Sequence, residues 1–168
     1  MMELIQRYYA AERHTAMLAI AIGLALILIS LALSRTASAA TLTRGMVYVF
    51  LVAGLLQSAA GLSYFVVVGK RAQEATKVYA AQAEHDIKQQ ESTRLERVLK
   101  SGYIGGLAMY TALLLIGLAL LLLSHDAPTR KGMALALMII GVLGHGLEAY
   151  SMQANQQYLK TVVSQITS

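Results

Sequence analysis

The chain has 168 residues, of which 57% are hydrophobic and 14% charged, and its net charge is +5. An ordinary soluble domain carries about 25% charged residues, and one this small has too little interior to hide so much apolar surface. The composition excludes a soluble globule, a disordered chain and a nucleic-acid binder recognised by charge, and the absence of cysteine excludes a disulfide framework, thiol catalysis and cysteine-held metals.

A mean hydropathy of +0.55 points to a polytopic membrane protein. The expected fold is all-α: one membrane domain over 1–168, built as a four-transmembrane-helix bundle of two αα-hairpins with helical cytoplasmic extensions. Residues 2–14 lack helix breakers and repeat apolar side chains at Leu4, Tyr8 and Ala11. The charged triplet Glu12-Arg13-His14 stands where an interface anchor belongs.

The first span is expected over 15–34. Its basic lead-in and the Ala37-Ser38-Ala39 sequence resemble a signal peptide. The apolar run of about 20 residues exceeds the usual signal core of about 7–15, and Arg35 interrupts it, so the segment reads as a span. The second span covers 46–69. Each stretch has the roughly 20 residues needed to cross about 30 Å of hydrocarbon. Backbone groups in lipid must be satisfied within the segment, which makes the spans helices.

Segment 70–101 holds Lys70, Arg71, Lys77, Lys88, Arg94, Arg97 and Lys100 against five acidic residues, with good helix formers and no glycine or proline. Ala75, Tyr79, Ala83 and Ile87 recur every four residues, and Leu95, Val98 and Leu99 make a second apolar patch. The polar stretch between them predicts a turn at 89–92. A capping box of Thr93 and Glu96 would then start a short helix into the third span. That span is expected over 102–124, and Pro128 marks the connection to the fourth, over 132–152. The tail repeats Tyr158, Val162 and Ile166, so all four helices are expected to protrude as one bundle.

Orientation follows from the basic residues. The termini and segment 70–101 together carry Arg7, Arg13, Lys160 and the seven named above; the opposite side carries Arg35, Arg44, Arg130 and Lys131. The excess places both termini in the cytoplasm, in the inner membrane of a bacterium. The two halves also resemble each other: Ile22-Gly23-Leu24-Ala25-Leu26 recurs from Ile116 to Leu120, and Gly45-Met46 recurs as Gly132-Met133, which sets Gly54 opposite Gly141.

Small residues let helices approach closely where lipid supplies no hydrophobic drive. Gly102, Gly106, Gly141 and Gly144 are the candidate packing positions. The fourth span is strictly apolar only as far as Gly144 and must include His145 and Glu148, which share a face. Gln57 and Ser58 on the second span and Tyr110 and Thr111 on the third lie at comparable depth. A polar layer follows, in which Glu148 is either protonated or paired with a charged His145 or with Arg13. It is either a proton or cation site or a hydrogen-bonded layer that fixes helix register.

No phosphate-binding loop, nucleophile elbow, haem pair or di-metal motif stands in the chain, so neither catalysis nor a cofactor is expected. The partners expected are the lipid bilayer and a second copy or another membrane protein. The function expected is helix-mediated assembly by an accessory, sensor or immunity-type component, with an oligomeric channel or transporter subunit built on the His145 and Glu148 layer as the alternative.

Overall fold

A computed structural model describes residues 2–38, 41–80, 82–125 and 127–164. It consists of α1 (Met2–Ser34), α2 (Leu42–Tyr79), α3 (Glu84–Arg97), a π-helical turn (Val98–Gly102), α4 (Tyr103–Leu123) and α5 (Pro128–Ser164). All regular structure among the described residues is helical. Four rods in this set are long and apolar enough to cross a membrane; α3, the π turn and α4 make up one of them.

The helix ends have local causes. The Thr41 side chain accepts from the Arg44 backbone at 3.3 Å and starts α2. Pro128 opens α5, at the one helical position where a missing N–H costs nothing. With 38 residues, α2 is about 57 Å long, well beyond a hydrocarbon core of about 30 Å. Both α2 and α5 therefore run on past the apolar part of the bundle.

The turn expected at 89–92 does not form there: α3 runs unbroken over Glu84–Arg97, and the helical break lies between the end of α2 at Tyr79 and Glu84. Starting α3 at Glu84 puts Glu84 and Asp86 in its first turn, where the helix dipole favours negative charge. Ile87, Glu91 and Leu95 then lie four residues apart on one face, and all three are buried. The capping box does not form: Thr93 Oγ1 donates to Gln89 O, one turn back within the same helix. Ala83 is exposed, while Ala75, Tyr79 and Ile87 still meet in one cluster because the chain folds back between them.

That cluster is the core of the extensions. Ile5, Tyr8 and Tyr9 of α1, Val68 and Ala75 of α2, Ile87 and Leu95 of α3, and Tyr158 and Val162 of α5 pack together. A smaller cluster of Leu26, Phe50 and Ala136 holds the other end of the bundle. Between them the apolar windows are mostly surface: 11–28% of each is buried. Side chains such as Leu28, Leu56, Leu122 and Leu123 are exposed, and so much unburied apolar surface needs lipid or another apolar covering.

α1 packs against α2 and α4 against α5, and the two hairpins join through α2 and α5. At this joint the backbones cross at glycine. A methyl group on Gly45 would strike the Thr129 carbonyl of α5, and one on Gly132 would strike the Leu42 carbonyl of α2. The two contacts are reciprocal: the displacement that carries Gly45 onto Gly132 also carries Leu42 onto Thr129. It carries Gly54 onto Gly141 as well, with Gly23 O 2.7 Å and Tyr110 O 3.0 Å from the respective added methyl groups. The hydroxyl of Ser30 donates to Val47 O, and Gly117 meets the Ala134 carbonyl in the equivalent place. The hairpins are thus related by an approximate two-fold axis along the bundle.

The pairing read from the Ile22 and Ile116 pentapeptides is out of step with this frame by two helical turns. Gly23 answers structurally to Tyr110, and Ser30 to Gly117. Leucine- and alanine-rich text repeats by composition, whereas the carbonyl contacts depend on register.

The expected packing role of Gly106, Gly141 and Gly144 has a counterpart in close contacts: Gly106 lies under Glu148, Gly141 under Leu114, and Gly144 under the Tyr110 ring. Gly102 differs. An added methyl would touch only Val98, at 3.5 Å, because this position borders the open cavity between the helices. The fold depends most on the crossing of α2 and α5. Gly45→Val or Gly132→Val forces side-chain atoms onto a carbonyl and should destabilise the purified protein by about 3 kcal/mol, the upper end of overpacking costs. Gly105→Ala, with nothing within 4 Å, should not lower the thermal unfolding midpoint and gains helix propensity.

Candidate functional site

The helices enclose a cavity of about 400 Å³ at the level where the apolar bundle passes into its extensions. It was not legible as a site in the sequence, and most of its polar groups come from outside the expected layer.

Asn155 of α5 is its centre. The side chain is buried and accepts from Tyr8 Oη at 2.9 Å. Its amide donates to Glu12 Oε1 at 2.9 Å, to Tyr103 Oη at 2.8 Å and to the Ser151 carbonyl one turn back at 3.1 Å. Tyr103 Oη also meets Ser151 Oγ at 2.9 Å. Glu12 is 4% exposed, and its second oxygen accepts from Tyr64 Oη of α2. One asparagine therefore links α1, α4 and α5 directly and α2 through Glu12.

Glu12 did not look like a site residue within a triplet that resembles an interface anchor. The triplet divides in the structure: Glu12 turns into the bundle while the Arg13 guanidinium sits over the Phe65 ring, 4.5 Å from its centroid. The signal that identifies Glu12 is its spacing of four from Tyr8 and from Ala16, on the face that is buried from Ile5 to Ser30.

A second buried carboxyl lies towards the extensions. Glu91 is fully buried and receives Arg94 in a two-point contact, with Nε at 3.1 Å and a terminal nitrogen at 2.7 Å. Tyr79 Oη donates to it at 2.6 Å, and Tyr158 Oη lies at 3.4 Å. The Arg94 guanidinium sits 5.1 Å from the Tyr8 ring centroid and 5.9 Å from that of Tyr9, and Tyr8 stacks on Tyr158 at 4.2 Å. Glu91 and Arg94 thus neutralise each other inside an aromatic sleeve.

The expected polar layer is divided among three environments. Gln57, Tyr110 and Glu148 line the cavity together with Glu12. His145 and Thr111 form a separate pair, Nε2 to Oγ1 at 3.2 Å, on the half-exposed flank of α4 and α5. Ser58 faces α1 instead, where its buried hydroxyl lies against Gly23 without a hydrogen-bond partner among the described residues. The expected ion pair of Glu148 with Arg13 is replaced by the stacking of Arg13 on Phe65. Among the described residues, no three of His, Asp or Glu cluster in a way that would hold a metal ion.

No protein-family model matches this chain, and neither does any curated protein or solved structure. The case for a function therefore starts from the cavity.

The tyrosines of the extensions carry a pH signature. Burial pushes the phenol of Tyr8 far above its ordinary range, and the nearby Glu12 charge adds to the effect. Burial does the same at Tyr158, helped by the charge of Glu91, and at Tyr79, helped by the hydrogen bond to Glu91. A phenol held neutral in the fold contributes stability that is complete below its unfolded value of about 10 and disappears as pH rises through the raised folded value. In an ultraviolet titration of the folded protein, Tyr158→Phe or Tyr79→Phe should remove nothing from the tyrosinate signal at pH about 10, since neither group ionises there in the fold. A proportionate drop in either variant would contradict the buried network.

Proposed function

We propose that this is a non-enzymatic four-span protein of the bacterial cytoplasmic membrane that binds a small solute in the cavity between its helices, as a channel or transporter subunit. Both termini and α3 lie on the cytoplasmic side. The observation that carries the proposal is the cavity itself. Its volume of about 400 Å³ falls within the range of about 300–1,000 Å³ typical of ligand sites. It extends from Arg71 and Arg94 on the extensions down to Gln57, Tyr110 and Glu148 between the apolar rods. A charge near the bilayer centre costs at least about 2.5–3.5 kcal/mol on insertion scales, and that cost is tolerable where the side chain faces a hydrated space. Orientation rests on the ten basic residues of the extensions and tail against four at the opposite end.

The chain's natural lack of cysteine allows a direct test. In cells or oriented vesicles, a Gln57→Cys variant should react with a small charged thiol reagent supplied from the cytoplasmic side, and not with the same reagent supplied outside. A Leu28→Cys variant, on the exposed apolar surface, should stay unreactive from both sides. An inert Gln57→Cys, or one labelled from outside, would refute the proposal.

A second reading, assembly with copies of the same chain, is favoured by one observation. Gly105 of α4 and Gly146 of α5 have nothing within 4 Å of an added methyl, so neither is used for packing inside the chain. Small residues in apolar helices are where neighbouring helices approach. If copies meet there, native mass spectrometry of the wild type should show an oligomer, and the Gly105→Leu, Gly146→Leu pair should return it to monomer. A wild-type monomer would remove this reading.

A further inference from the structure

We propose that the ligand of the cavity is a small organic cation with an apolar body, held by the carboxyl groups of Glu12 and Glu148 and by tyrosine rings. The inference rests on the cavity being a binding site and adds the chemical class of what it binds.

The charges of the cavity are arranged by depth. Arg94, at the end towards the extensions, is already neutralised by Glu91. Arg71 is exposed on the part of α2 beyond its apolar stretch. Below them the wall carries two carboxyl groups and no lysine or arginine. Glu12 is buried, yet the partners that meet it are neutral: the Tyr64 hydroxyl on one oxygen and the Asn155 amide on the other. A carboxylate offers about four acceptor positions, so two remain for a ligand's N–H groups or positive charge. Glu148 packs its carboxyl over Gly106, and among the described residues no hydrogen bond or salt bridge engages it, although His145 one turn away interacts with its charge. Two carboxyl groups without a salt bridge in a confined space attract a cation, because the low local dielectric weakens screening.

The rest of the wall suits a cation that is organic. Tyr64, Tyr103 and Tyr110 line the deeper part, and aromatic faces attract ammonium groups while covering apolar ones. The upper part of the same wall already accommodates a cation, since Tyr8 and Tyr9 carry the Arg94 guanidinium over their rings. The cavity is far larger than a bare metal ion needs, and its two free carboxyl groups are too few for a metal-ligand set.

Calorimetric titration of the full chain in zwitterionic nanodiscs tests the assignment, with empty nanodiscs to subtract partitioning into lipid. Three probes share a phenyl group: benzyltrimethylammonium, its uncharged carbon analogue neopentylbenzene, and benzenesulfonate. The cation should bind saturably, about tenfold or more tighter than either other probe, and Glu148→Gln and Glu12→Gln should each weaken it about tenfold. Glu148→Gln decides the matter if Glu12→Gln fails to fold, because no hydrogen bond between helices depends on Glu148. Equal binding of neopentylbenzene, a preference for benzenesulfonate, or unchanged affinity in Glu148→Gln overturns the cation while leaving the cavity as a site for another ligand class. Binding of none of the three overturns the cation, and an inert Gln57→Cys in the labelling experiment would then remove the site as well.

Discussion

The bundle is tied together where Asn155 meets Tyr8, Glu12 and Tyr103. A buried amide without partners costs about 1–3 kcal/mol per unsatisfied group. A single geometry satisfies this one completely, with α1, α4 and α5 each at a fixed height and rotation. Tyr64 extends the constraint to α2 through Glu12. Apolar helices in an apolar solvent have no hydrophobic reason to choose one register over another. The polar web supplies that choice at one end of the rods, and the glycine crossing of α2 and α5 supplies it at the other. Between these two fixed points the side chains are mostly exposed, so the space that remains inside is set by the fixed points rather than by side-chain packing.

The frame is nearly two-fold, but its side chains are not. Positions related by the axis are Gly61 and Glu148, Val68 and Asn155, Ser58 and His145, and Gly23 and Tyr110. In these pairs the second hairpin carries the larger or more polar residue, whereas at Ser30 and Gly117, Gln57 and Gly144, and Tyr64 and Ser151 the first hairpin does. Where both partners are small, as at Gly45 and Gly132 or Gly54 and Gly141, the contact is backbone against backbone and the two halves match. The symmetric positions therefore hold the scaffold, and the asymmetric ones gather polar groups from α4 and α5 opposite Glu12 and Tyr64 of the first hairpin. Both hairpins contribute polar groups to the cavity, but from positions that the axis does not relate, so its two sides differ chemically.

The rods were legible in the sequence because a run of about 20 apolar residues has one physical solution in lipid. The extensions were legible too, since Tyr8, Tyr158 and Val162 recur at helical spacing and meet in one cluster. The break before Glu84 was not: Ala80, Gln82 and Ala83 are good helix formers, and what favours a break there is the burial gained when Ile87, Glu91 and Leu95 fold back on α2. Gln57, Tyr110 and Glu148 were found because polar residues interrupt an apolar run conspicuously. Glu12, Glu91 and Asn155 lie in segments that are polar throughout, where a buried polar group looks like its solvated neighbours. Only the periodic buried face, such as Gly141, Gly144, Asn155, Tyr158 and Val162 along α5, distinguishes Asn155, and it continues past the point where the apolar stretch ends.

The π turn over Val98–Gly102 completes the cavity. A π segment inserts one extra residue into the helical ladder and is frequent at functional sites. Here the rod changes its task at that point: Leu95 is fully buried in the extension core, whereas Tyr103 must reach Asn155 and Ser151 one layer lower. On an uninterrupted α-helix, eight residues would set Tyr103 about 80° away from the face of Leu95. The added residue takes up that offset and keeps both on the inward face, and Val98 and Gly102 line the cavity beside them. Glycine at 102 therefore serves the opening rather than the packing. With no side chain there, the wall stays open between the neutralised Arg94 above and the carboxyl group of Glu148 below.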